Sequence, residues 1–395
     1  MLEPAGPESA RPRAFLRIGG ITVARQQLAL MLSLQCERIV CLANRLSEEV
    51  VELQHLAEAA GAQFHVVGNS RALSGLVTAV DEVVIVGDGL FLSIPQACAL
   101  LGEGQAVLVQ PIEQGLEAGF ERIDLNHAAA AAMRLPGRLV ERLAELPSDC
   151  DASSALQRIE LQDGVRQKPI PPVGPDGLFW TLIRSEDEAH ALEPMWIRQR
   201  TQSEGVLSPT RGLALFAVRS FGPAMLHAGT GASALVMAAA IMVLLALGAG
   251  WFGLIGLGLG VLAFGWFLRE AAVLLARIES ETLRDRKGLD SKEIYGWICD
   301  GALVLLGAWG TQAHAGQHMI DRAFPAFMLI ALLRILPRQM SPRWAGWLGD
   351  RALLAIGLGA AVVAGFGSEA IHLAAAAVAM AGMLLPLGRS RLTRP

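Results

Sequence analysis

The chain has 395 residues, 53% of them hydrophobic, 18% charged, with a formal net charge of −4 and a mean hydropathy of +0.43. That composition is too apolar for an ordinary soluble enzyme of this length, and the acidic balance argues against a nucleic-acid partner. The five cysteines form no C-x-x-C pair, so they read as small buried hydrophobes in a reducing compartment or a membrane.

The apolar residues are unevenly spread. Residues 1–220 mix charge with short apolar runs, whereas residues 230–387 are rich in Ala, Leu, Gly and Val with long uncharged gaps. The sequence therefore predicts an α/β domain over 1–185, a linker with an interfacial helix over 186–229, and an all-α membrane domain over 230–395.

From Phe15 to Ile183, β-branched runs alternate with helical ones, as in a layered α/β domain. Strands are expected at Arg38–Leu42, Gln63–Val67, Glu82–Val86, Ala106–Gln110 and Phe179–Ile183, with helices near Thr22–Gln35, Glu48–Ala60, Ala72–Ala79 and Pro95–Leu101. VVIVGDG, at 83–89, is nearly all apolar and reads as a central strand of a parallel sheet. It ends at Asp88, beyond the carboxyl end of a strand, where an acid could hold Mg²⁺ on a nucleotide or simply cap a turn. LNHAAAAAMRLPGRLVERLAEL, at 125–146, reads as helix punctuated by Pro136-Gly137, and Asp149 and Asp151 stand beside a helix N-cap. A Pro/Gly-rich turn leads to the last strand.

The stretch at 11–43, RPRAFLRIGGITVARQQLALMLSLQCERIVCLA, followed by VVIVGDG, resembles the region after the first loop of sugar-phosphate nucleotidyltransferases. The resemblance implies a Rossmann-like nucleotidyltransferase-type fold with Gly6, Arg13 and Asp88 toward the nucleotide, Asp88 also toward metal. It departs at the start. That family opens with a strand and a G-x-G-x-R loop whose N–H groups hold the triphosphate. Here MLEPAGPESAR stands before Pro12, and Arg13 replaces a lysine.

Next comes LSPTRGLALFAVRSFGPAML, at 207–226, apolar with Arg211 and Arg219 and a Gly222-Pro223 break. It suits a helix at a cytoplasmic membrane interface or a plain linker helix. Six apolar segments follow, near Gly231–Ala249, Phe252–Ala276, Ile294–Thr311, Ala323–Leu336, Ala352–Phe366 and Ile371–Leu387. Lys and Arg gather on alternate connections, which places both termini in the cytoplasm and the protein in the inner membrane. No cleavable signal is seen in the first 30 residues.

The whole plan resembles a cytidylyltransferase fused to a CDP-alcohol phosphatidyltransferase. That second family carries D-x-x-D-G-x-x-A-R-x8-G-x-x-x-D-x-x-x-D, whose acids hold Mg²⁺ or Mn²⁺ on the CDP diphosphate and supply a base. Ala276-Arg277 matches the motif's Ala-Arg, but Arg269 and Ala272 then replace its first two acids. A second alignment uses Glu279 and Arg284. Gly296 and Asp300 match G-x-x-x-D, and Val304 replaces the last acid.

The resemblance implies Asp300 and Glu279 as catalytic and metal-binding residues, and Arg277, Arg284, Gly296 and Arg219 as substrate-binding ones. It implies a CDP-alcohol or a nucleotide as ligand, membrane lipid as partner, and a homodimer. With so few acids, the expectation is a catalytically degenerate member with a binding or accessory role. One alternative is an active enzyme whose cations are held by Glu279, Asp285, Asp290 and Asp300. A second is a transporter or receptor with a nucleotide-sensing domain. Arg269 and Glu270 suit either the bundle interior or the interface.

Overall fold

The structure is a computed structural model, describing residues 12–147, 150–173, 179–202, 208–227, 231–280, 288–311, 318–339 and 342–384. The chain divides into two compact units, Met1–Gln199 and Arg200–Pro395. The first is mixed α/β with small sheets, and the second is mostly helical.

In the first unit the strands are β1 (Arg17–Ile18), β2 (Ile21–Thr22), β3 (Arg38–Leu42), β4 (Gln63–Val67), β5 (Glu82–Val86), β6 (Leu90–Leu92), β7 (Ala106–Pro111), β8 (His127–Pro136), β9 (Gln167–Pro169) and β10 (Trp180–Leu182). They form a four-stranded sheet of order β5-β8-β7-β9 and three pairs, β1-β2, β3-β4 and β6-β10. The helices are α1 (Val23–Ser33), α2 (Glu48–Ala59), α3 (Ile94–Leu101), α4 (Ile112–Glu117) and α5 (Ala152–Gln162). Side chains cap several N-termini: Thr22 accepts from the N–H of Arg25, Ser47 from Val50 and Asp151 from Ser154. Each satisfies an orphan donor that the helix itself cannot pair.

Two expectations fail here. The alanine-rich stretch expected as helix is β8, the second strand of the four-stranded sheet, followed by a 3-10 helix over Gly137–Glu145. β8 pairs antiparallel with both β5 and β7 and is buried along most of its length. Its small side chains are needed because α4 lies close against it, with Gly115 facing Ala128. Tertiary pairing overrides alanine's helix propensity. β5, expected to be central in a parallel sheet, instead pairs antiparallel with β8 and, among the described residues, stands first in the four-stranded sheet.

Beyond the strands, Phe91, Phe179 and Trp196 meet edge to face, with centroids 4.8–5.8 Å apart, and Trp180 donates its indole N–H to the Ala130 carbonyl at 2.7 Å. The buried indole thus has its partner.

The helical elements that follow are α6 (Glu186–Gln202), within which the unit boundary falls, then α7 (Pro209–His227), α8 (Gly231–Trp251), α9 (Ile255–Ser280), α10 (Gly288–Gly310), α11 (Met319–Ile335), α12 (Pro342–Gly349), α13 (Arg351–Val363) and α14 (Gly367–Leu384). α7 runs through Gly222-Pro223 without the expected break. α9 packs on α8 and α13, and α11 on α10 and α14. Their shared core joins Ala239, Val243, Ala246, Leu262, Leu306 and Leu329. Small residues bring backbones close: a methyl at Gly250 would meet Leu306 and Trp309.

Among the described residues two helical stretches, Gly231–Trp251 and Ile255–Ile278, are long and apolar enough to cross a membrane, where six were expected. Arg351–Val363 and Gly367–Met383 are apolar but shorter. Of the others, α11 and α13 have 17 and 13 residues, and α10 begins in the polar run GLDSKE.

Gly115→Ala should lower the stability of the full chain by about 1–3 kcal/mol through overpacking against Ala128, read as a drop in the thermal unfolding midpoint. An unchanged midpoint would mean that α4 and β8 are not held at this distance.

Candidate functional site

α10 presents Gly296, Trp297 and Asp300 within one helical turn. Asp300 is 4% exposed, and its two oxygens are taken by two guanidinium groups. Arg334 Nε of α11 donates to Oδ2 at 2.5 Å, and Arg351 Nε, at the first residue of α13, donates to Oδ1 at 2.7 Å. Arg334 also lies over the Trp297 ring, its guanidinium carbon 3.4 Å from the centroid, and Arg351 Nη1 donates to the Leu348 carbonyl at 3.2 Å. A cation over an indole face gains from the ring's quadrupole. The cluster carries one negative and two positive charges.

That arrangement does not suit a divalent cation. A carboxylate binds a metal through oxygens that are free to turn toward it, and both oxygens of Asp300 face arginines whose charge would repel the ion. Among the described residues no group of three or more His, Cys, Asp or Glu side chains is placed to hold a metal.

The neighbouring residue, Asp350, is also buried, at 4% exposure. Its Oδ1 accepts from the N–H of Ala352 at 3.1 Å and from the Thr210 hydroxyl at 2.8 Å, and its Oδ2 accepts from the Thr210 N–H at 3.0 Å. One side chain thus caps α13 and grips the start of α7. Sequence reasoning passed over Asp350, though an acid directly before an apolar run is an N-cap signal.

Of the other expected site residues in this unit, Gly296 faces Arg334, its position 3.7 Å from Nη2 once a methyl is imagined there. Arg219 is turned to Thr201, donating to its hydroxyl at 2.9 Å and its carbonyl at 3.2 Å. Arg277 is exposed near the end of α9. Glu279 falls in the last turn of α9 and Asp290 in the first turn of α10, with side chains outside the described residues, as are Arg284 and Asp285 altogether. Arg269 and Glu270 pair with each other, both side chains largely buried, and Arg269 stands 4.7 Å from the Trp266 ring centroid. His318 and Asp321 cap α11, whereas His314 lies outside the described residues.

In the first unit, Gly87, Asp88 and Gly89 turn the chain between β5 and β6. The Gln27 amide fixes this turn, donating to the carbonyls of Gly87 and Leu90 at 2.9 Å. Gly89 has φ +76, and a Cβ there would strike the Ile183 carbonyl and lie 3.6 Å from Arg13 Cδ. Arg13 and Asp88 therefore border the same cavity, of about 800 Å³. Gly6 lies outside the described residues.

A buried acid that no motif pointed to is Glu160 of α5. It is fully buried, neither carboxyl oxygen has a hydrogen-bond partner, and burial pushes its pKa up to about 8. Its signal in the sequence, an acid on the apolar face beside Ile159, is weak.

No protein-family model matches the chain, and no curated protein matches it.

Asp300→Asn should cost about 3–5 kcal/mol by leaving two arginines facing a neutral group in a buried site. Combining Asp300→Leu with Arg334→Met and Arg351→Met should restore most of the unfolding midpoint, and equal loss in both variants would contradict the ion-pair account. Glu160 gives a pH test. With its folded pKa raised, its contribution is full below the unfolded value near 4.3 and is lost as pH rises toward 8. Glu160→Gln should therefore flatten the fall in melting temperature between pH 5 and 8.

Proposed function

We propose that the chain is an integral membrane protein of polar-lipid or headgroup metabolism. It resembles a nucleotidyltransferase fused to a CDP-alcohol phosphatidyltransferase in plan, and binds rather than converts its ligand. In this reading α8 and α9 are the helices that cross the bilayer, with both termini in the cytoplasm. The alternation of Lys and Arg between connections supports that topology. So does the apolar surface of the helical unit, where Met237, Leu244, Trp251, Leu257 and Phe264 are exposed on the two longest apolar helices. Large apolar side chains exposed in this number are costly in water and favourable against lipid.

The observation that carries the non-catalytic reading is the state of Asp300. It is the acid that best fits the family's metal motif, and both of its oxygens are engaged by Arg334 and Arg351. A carboxylate held in this way supplies structure, and it cannot take a proton from an acceptor hydroxyl without first breaking two charge-assisted hydrogen bonds. The excess positive charge of the cluster favours an anionic group near Arg334, such as a headgroup phosphate.

Purified full chain in detergent, given a CDP-alcohol, an acceptor lipid and Mg²⁺, should release no CMP above the buffer control, and Asp300→Ala should leave that unchanged. Mg²⁺-dependent CMP release that disappears in Asp300→Ala would sink this reading in favour of an active enzyme.

A further inference from the structure

The metal motif that the helical unit partly matches holds a phosphate-bearing ligand through divalent cations on acidic side chains. Here cationic side chains stand in that place. Where the motif has its first acid the chain has Arg269, and the acid it keeps, Asp300, has its oxygens taken by Arg334 and Arg351. Cys299, one residue before Asp300, lies within reach of the charges of both Arg269 and Arg351. Three guanidinium groups thus lie around one turn of α10.

Pairing leaves one of these charges over. Arg269 is balanced by Glu270. Asp300 offers one negative charge to two cations, and of these Arg351 is buried and also gives Nη1 to the Leu348 carbonyl. Arg334 bonds Asp300 through Nε, and no other acceptor for its guanidinium stands among the described residues. Its side chain keeps 24% exposure. A cation in largely apolar surroundings is neutralised by a partner or by a ligand, so the excess charge at Arg334 calls for an anion.

The surroundings of Arg334 set the direction of approach. The Trp297 ring covers one face of the guanidinium, 3.4 Å from its carbon, and Nε is turned to Asp300. What remains is the edge carrying Nη1 and Nη2. Gly296 leaves that edge uncovered: a methyl there would make only ordinary contact, 3.7 Å from Nη2, and a longer side chain would lie over it. Two coplanar N–H donors match two oxygens of a phosphate, which is why arginine is favoured for that group. The exposed ring of Trp297 lies beside the same edge as an apolar support for the rest of a ligand.

We propose that Arg334 binds a phosphate group, as mono- or diester, directly through its Nη edge, and that guanidinium charge here replaces the divalent cations of the motif. Binding then needs no Mg²⁺, because a cation brought between the phosphate and Asp300 would meet two arginines. This assignment rests on the reading that the helical unit binds a headgroup without converting it, and adds the group that makes the contact and its independence of metal.

Isothermal titration calorimetry of the full chain in neutral detergent tests it, in EDTA and again in Mg²⁺. The probes are short-chain phosphatidic acid, inorganic phosphate and, lacking phosphate, short-chain diacylglycerol. Phosphatidic acid should bind once per chain with the same affinity in EDTA and in Mg²⁺, and diacylglycerol should not bind. Inorganic phosphate binding as tightly shows free phosphate to be a sufficient ligand; binding weaker by about tenfold or more assigns the site to a lipid headgroup, and the proposal holds in both cases. Gly296→Leu, which covers Nη2 and leaves both bonds to Asp300, should weaken phosphatidic acid about tenfold at an unchanged unfolding midpoint. Arg334→Lys, which keeps the charge and loses the planar edge, should weaken it too. Absence of binding in EDTA, binding that Mg²⁺ strengthens about tenfold, or full affinity in Gly296→Leu overturns the proposal. So does binding that appears only in Asp285→Asn or Asp290→Asn, since one of the chain's own carboxylates is then the partner of Arg334. Binding that requires Mg²⁺ without CMP release sinks this assignment alone, whereas CMP release abolished by Asp300→Ala sinks the reading beneath it.

Discussion

A carboxylate removed from water must be neutralised where it sits, and in the helical unit this requirement sets which helices meet. Asp300 on α10 is neutralised by Arg334 from α11 and Arg351 from α13. The residue before Arg351 does the complementary work, since Asp350 binds the first N–H groups of α13 and the start of α7. Two consecutive residues therefore tie α13 to α10 on one side and α7 on the other. The remaining contacts among these helices are Ala, Gly, Leu and Val, which fit in many relative rotations with little difference in energy. Directional, charge-assisted bonds are what single out one arrangement from that set.

Much of the first unit was legible because strands there are short and bounded by turn residues. β3, β4 and β5 begin and end at the expected residues, since IVCL, FHVV and VVIV are flanked by Glu37, Asp81 and glycines or asparagines. β8 was not legible. Five successive alanines have no period-2 or period-3.6 contrast, so only intrinsic propensity speaks, and it speaks for helix. What decides the outcome is the pair of neighbours β5 and β7, which lie about 20 to 50 residues away in sequence. The three-residue β6 escaped for a different reason: it follows the Gly89 turn immediately and is too short to show a period.

The helical unit was legible as apolar segments and less so as a site. Asp300 stood out as an acid inside an apolar run. Its partners did not, because Arg334 and Arg351 lie 34 and 51 residues further on and read equally well as the basic ends of membrane segments. Each arginine closes a helix terminus and reaches inward along its apolar stem. The sequence could show that cations were present, and only the packing of three helices could show that they face the acid.

The disagreement over β5 is the most instructive, because the expectation rested on sound chemistry. An all-apolar strand belongs where both faces are covered and both edges are paired, and β7 meets that description in this same unit. β5 shares that composition, yet its partner among the described residues is β8, and the two run antiparallel over Glu82–Val86 and Ala132–Pro136. An apolar run reports that a segment is a strand and that it is to be covered; it carries no information on the direction of the neighbour, which is set by the chain that returns through β8.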